Sequence, residues 1–251
     1  MSAGTTARER DKELSLVQHL GELRSRLVVS AIALVIGTAI AFYFGTQLIR
    51  LLLIPVDCTF IPSYSCHQPP TTLVSFSPTE NFTTYFRVAL FAGFALAMPV
   101  ILYEIYAYID PALLPKERRF VRFMGLPVIG LFLAGMLFCY FVLLPNAIKF
   151  LINFGDEVIK NQLRAADYLS FVTIFILGMG LIFEVPAAIF ALIKIHVITR
   201  QWLAKQRRYA VLAAFIIGAV ITPTPDPFNQ TLVAIPLYLL YELGILFARL
   251  A

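Results

Sequence analysis

One carboxylate stands where none is cheap. Residues 169 to 193 read "LSFVTIFILGMGLIFEVPAAIFALI", and Glu184 is their single ionisable group. An ionised carboxylate at the centre of an apolar helix costs about 2.5–3.5 kcal/mol on insertion scales, so such a residue points to function by default. Gly180, Glu184, Ala187 and Ala188 recur at i, i+4, i+7 and i+8 and share one side of a helix. That small, polar side suits close helix packing or a water-filled groove. Pro186 frees the carbonyl near Ile182 and predicts a kink there. Two readings stay open: a functional carboxylate, or a protonated one hydrogen-bonded to a neighbouring helix.

Other carboxylates sit at the ends of apolar runs. Glu104 and Glu242 lie within reach of Arg and Lys side chains and read as structural. The tail segment "SLVQHLGELRSRL" has a capping-box pattern in Ser15 and Gln18. Leu16, Leu20, Leu23 and Leu27 recur at helical spacing, with Gln18, Glu22 and Ser25 along another side. This predicts an amphipathic helix at a membrane surface that runs on into the first apolar run. Glu22 and Arg26, at i and i+4, can form an exposed ion pair worth a few tenths of a kcal/mol. In "DPALLPKERRF", Pro115 marks a helix start, and Glu117 in the first turn complements the helix dipole. Both Glu22 and Glu117 stand beside basic residues that can hold them in place. Two positioned carboxylates can each take a guanidinium through paired hydrogen bonds. Cys58 and Cys66, in "CTFIPSYSC", can close a small disulfide ring or remain free thiols. His67 beside them gives no metal-binding spacing, and Cys139 reads as a small apolar residue.

The elements that position these residues follow from composition. The chain is 59% hydrophobic and 14% charged, with a mean hydropathy of +0.81. Soluble domains run at about 45–50% and about 25%, so the solvent of this chain is a membrane. Apolar runs predict six transmembrane helices at about 27–49, 82–108, 123–144, 169–193, 209–222 and 231–248, in a single membrane domain over 1–251. An even number puts both termini on one side. Lys and Arg number fifteen in the tail, the loops after spans two and four and the C-terminus, against three over 51–80, 145–168 and 223–230. Both termini are therefore expected in the cytoplasm. Residues 1–26 form a cytoplasmic tail without the features of a secretory signal. The fifth span is short, about 21 Å against a core of about 30 Å. With the proline-rich "PTPDPFNQ" after it, this predicts local thinning of the bilayer.

Several segments, in order, resemble one family: "HLGELRSRL", "SPTENFTTYFRVAL", "MPVILYEIYAYIDPALLPKERRF", "YLSFVTIFILGMGLIFEVP" and "RRYAVLAAFIIGAVITPTPDPFNQTLVAIPLYLLYELGIL". Together they are similar to the TatC subunits of the twin-arginine translocase. The resemblance implies a cupped wall of six helices whose last two spans are short. It implies a receptor for signal peptides bearing two consecutive arginines. It implies single-span partners of the TatA and TatB type, and export of folded proteins driven by the proton-motive force. It further implies that Glu22, Glu117, Arg24, Arg26, Arg118, Arg119 and Tyr108 form the signal-peptide site. Glu184, Glu104, Gln230 and Asp226 would be polar or coupling positions, and Pro55 and Pro99 structural ones. Glu104 stands where the family often has Gln. A homo-oligomer within a larger complex fits the same picture. No enzymatic activity, cofactor, metal or nucleic-acid partner is expected, and no Walker A motif is present.

A proton-coupled carrier would also want a buried carboxylate such as Glu184, but it usually shows repeat halves. None is evident here. An intramembrane protease would need a nucleophile with a base, and the chain has no "HExxH" or "GxSxG".

Overall fold

The computed structural model describes residues 16–55, 73–109, 115–154, 163–194, 196–222 and 226–250, without the side chains of 16–19, 109, 115–124, 126, 152–153 and 249–250. The elements are α1 (Leu16–Tyr43), α2 (Gly45–Leu53), α3 (Pro78–Ile109) and α4 (Pro115–Phe138). A π-helical turn (Cys139–Leu143) leads into α5 (Leu144–Asn153). Then come α6 (Ala165–Phe183), α7 (Val185–Lys194), α8 (Arg200–Lys205), α9 (Arg207–Ile221) and α10 (Pro227–Leu250).

Helix α1 is unbroken, so no bend separates the tail from the first apolar run. That run ends at Tyr43 rather than 49, and α2 is a separate short helix. Tyrosines donate to carbonyls at the C-terminal ends of both helices. Tyr85 Oη donates to Phe42 O (3.3 Å), Tyr140 Oη to Leu51 O (2.7 Å) and Tyr168 Oη to Leu52 O (2.8 Å). Helix ends in hydrocarbon need such partners, because no water supplies them.

Between α4 and α5 the helical ladder widens into the π turn. Pro145, just beyond it, has no N–H to give, and Asn146 Nδ2 donates to the Val142 carbonyl at 2.7 Å. The rings of Phe150 and Phe228 then stack at 4.3 Å, tying α5 to the start of α10.

Helix α6 lies at the centre, packed against α3, α4 and α10. Phe132, Leu144, Val172, Phe175, Met179 and Val233 are its fully buried neighbours and members. Large apolar side chains cover the outside, among them Val35, Leu133, Val220 and Ile235. An exposed apolar surface of this extent belongs against lipid.

Among the described residues five helical runs are long and apolar enough to cross a bilayer: Leu20–Tyr43, Pro78–Tyr108, Pro127–Leu151, Ala165–Lys194 and Pro227–Ala248. Helix α9, with 15 residues, spans about 22 Å and is not among them. The last helix corrects the expectation of a short final span. It has 24 residues, not 18, because it starts at Pro227 and runs on to Leu250. Asp226 caps it there, accepting from Asn229 N at 2.7 Å, and proline suits the first helical position.

At the end that the charge count assigns to the outside, Val74 bridges to the segment before α6. Val74 N donates to Leu163 O and Ala165 N to Val74 O, each at 3.0 Å. The bridge brings Arg164 over the first turn of α3.

Candidate functional site

Helices α1 and α3 run antiparallel, and their register sets the inner polar cluster. They cross where a Cβ on Gly37 would lie 2.6 Å from the Gly93 carbonyl oxygen, so only glycine permits that approach. Three turns towards the cytoplasm, the same register sets Arg26 against Glu104. Arg26 Nη1 donates to Glu104 Oε2 at 2.9 Å. Its Nε and Nη2 both reach Glu22 Oε1, at 3.1 and 2.8 Å. The guanidinium thus joins two carboxylates. Side-chain exposure is 25% for Glu22, 27% for Arg26 and 12% for Glu104, so Glu22 is the outer member and Glu104 the inner. Arg24 is exposed on the same helix, and Tyr108 is half-buried one turn beyond Glu104. Of the seven expected signal-peptide residues, Glu22 and Arg26 are brought together. Glu104, expected elsewhere, joins them.

Helix α4 begins at Pro115, as the proline at its first position predicts. The side chains of Glu117, Arg118 and Arg119 lie outside the described residues, as do Cys58 and Cys66.

Glu184 marks the junction of α6 and α7. Pro186 cannot donate to the Ile182 carbonyl. The helix breaks two residues before it, with Glu184 N donating to Leu181 O at 3.1 Å. One turn earlier, Gly180 lets α6 approach α4: a Cβ there would meet the Phe132 ring at 2.7 Å. The Glu184 carboxylate lies against the Phe132 backbone. Its Oε1 is buried and meets no hydrogen-bond partner among the described residues. A buried, unsatisfied carboxylate oxygen costs free energy, and few native polar atoms are left so.

Asp226 caps α10 through both oxygens, Oδ2 accepting from Asn229 Nδ2 at 2.9 Å. Gln230 Nε2 donates to Phe215 O at 2.9 Å and ties α10 to α9. Pro99 sits inside α3, and Pro55 follows the end of α2. Glu242 pairs with Arg207 at 2.8 Å and accepts from Tyr238 Oη at 3.1 Å.

Sequence reasoning missed two polar contacts. Glu80 takes Arg164 through paired bonds, Nε to Oε1 at 2.8 Å and Nη2 to Oε2 at 3.1 Å, and accepts from Phe76 N at 3.2 Å. These bonds tie the first turn of α3 to the segment before α6. The signal was available: "SPTE" places Glu80 three residues after a serine, with proline between. Arg87, inside the second apolar run, donates through Nη1 to Ser170 Oγ at 2.6 Å.

The family model for Sec-independent protein translocase protein (TatC) matches residues 18–236. The chain belongs to the TatC family. It is 41% identical over 240 residues to the TatC protein of Aquifex aeolicus, covering 95% of this chain and 96% of that one. The TatC protein of Carboxydothermus hydrogenoformans is 36% identical over 239 residues, covering 95% and 94%. A crystal structure of the twin-arginine translocase receptor TatC superposes with a TM-score of 0.81 at 40% identity, covering 92% of this chain and 98% of that one. The fold is thus that of an all-α, multi-span TatC membrane protein.

Proposed function

We propose that this TatC-family chain seats the two arginines of a signal peptide on Glu22 and Glu117 at the cytoplasmic face. It is the receptor subunit of a twin-arginine translocase in the cytoplasmic membrane, with both termini inside. It works with single-span subunits of the TatA and TatB type to export folded proteins at the expense of the proton-motive force. The protein is a translocase subunit and not an enzyme. The observation that carries this reading is a family match over residues 18–236 that includes both carboxylates, with Glu22 partly exposed and already holding a guanidinium. Arg24, Arg118, Arg119 and Tyr108 flank these seats.

Six crossings follow from parity. Five long runs with both termini on one side leave one crossing unaccounted for, and α9 is the remaining apolar helix. It starts at Arg207 and Arg208 on the basic side and ends at Ile221, five positions before Asp226. A span of about 22 Å in a core of about 30 Å thins the bilayer beside it. The six helices form a cupped wall. Glu184, Gln230 and Asp226 are its polar and coupling positions, where a partner helix docks, while Pro55 and Pro99 shape the scaffold.

The test is binding of a synthetic twin-arginine signal peptide to the detergent-purified protein. A charged hydrogen bond is worth about 1.5–3 kcal/mol, so Glu22→Ala and Glu117→Ala should each lose about ten- to a hundredfold in affinity. Wild-type affinity in both variants sinks the placement of the site.

A further inference from the structure

Among the described residues the inner cluster is one cation short. Two carboxylates, Glu22 and Glu104, share a single guanidinium, so the triad carries a net charge of minus one. Arg26 directs two of its N–H groups to one oxygen of Glu22, Oε1. No hydrogen bond reaches Glu22 Oε2 among the described residues. A full fork would use both oxygens, so Glu22 is engaged but not saturated. Glu104 is the more buried carboxylate, at 12% exposure. A buried charge needs a paired partner far more than an exposed one does.

We propose that Arg26 is a built-in occupant of the Glu22 seat, and that Glu104 draws it off when a peptide arginine arrives. The proposal rests on the reading that Glu22 receives a signal-peptide arginine. The arriving guanidinium takes Glu22 with both oxygens. Arg26 keeps its bond to Glu104 and swings its remaining donors inward to that carboxylate. Two cations then meet two anions, and the net charge is zero. An ammonium lacks the planar fork that takes both oxygens, so the exchange favours arginine over lysine. Glu104 is a positioning residue: it touches Arg26, not the peptide.

A double-mutant cycle on peptide affinity tests this, in the detergent-purified full chain with a synthetic twin-arginine signal peptide. With Glu104→Gln, Arg26 settles on Glu22 and competes, and affinity should fall about five- to twentyfold. Removing the occupant by Arg26→Gln should raise affinity above the wild type, because Glu22 loses its competitor. In that background Glu104→Gln should change affinity by less than about twofold. Arg26→Met, which keeps the apolar stem, serves as a second background if Arg26→Gln does not accumulate. A tenfold loss on removing Arg26 alone overturns the proposal, because it makes Arg26 a peptide contact or a strap holding α1 to α3. A Glu104→Gln loss that persists without Arg26 also overturns it, because Glu104 then touches the peptide. If Glu104→Gln does nothing while Glu22→Ala abolishes binding, the seat stands and the exchange falls. If Glu22→Ala binds normally, the seat itself is wrong and the exchange falls with it.

Discussion

Each end of α3 carries a carboxylate bound to an arginine, and the two sites differ in stoichiometry. At the outer end Glu80 and Arg164 match one to one, through two parallel bonds, over a backbone bridge between Val74 and the segment before α6. At the inner end Glu22 and Glu104 share Arg26, and one oxygen of Glu22 takes no bond among the described residues. The outer pair is closed, and it holds the start of α3 to the segment before α6. The inner cluster keeps acceptor capacity at a surface. A balanced pair is a fastener, and an unbalanced one is a receptor.

That contrast can be broken by mutation. Removing Glu22 should cost about ten- to a hundredfold in signal-peptide affinity, read by titration, with little change in thermal unfolding. Glu184→Ala should leave peptide affinity within about threefold of the wild type while lowering transport severalfold at equal protein levels. Normal transport by that protein would remove Glu184 from the mechanism. Glu80→Gln should do the reverse of Glu22→Ala, lowering the melting temperature while peptide affinity stays within about twofold. An unchanged melting temperature in Glu80→Gln would deny the ion pair its role. The smallest effect concerns neither site. His196 holds a φ of 59° where α7 ends. Val197 N bonds back to Leu192 O and His196 N to Ile193 O, the pattern in which glycine is usual. His196→Gly should stabilise the fold by about 1 kcal/mol, measured by unfolding of the purified chain.

Much of this was legible in the chain itself. Apolar runs located the long helices because hydrocarbon tolerates no unpaired backbone, and Pro186 announced the break at Glu184. The Glu22–Arg26 pair follows from helical spacing alone. Its link to Glu104 does not, since it depends on how α1 and α3 are staggered, which the Gly37–Gly93 contact decides. The pattern "SPTE" marks Glu80 as a helix-start residue, yet its partner lies 84 residues away. The start of α10 was misplaced by four residues because an apolar count begins at Thr231, whereas the helix begins where Asp226 can cap it. The π turn has no sequence signature beyond a following proline.

That turn makes the outer end of the third apolar run tolerant of chain length in a way its neighbours are not. A π turn carries one residue more than an α-helix needs, and its wider ladder absorbs that residue. Deleting one residue from Cys139–Leu143 would restore the regular ladder while the helix after it keeps its orientation, with Phe150 still facing Phe228. The same deletion in a regular helix would turn everything after it by about 100°. Over these five positions a one-codon deletion is absorbed, where a few residues further along it would act as a lesion.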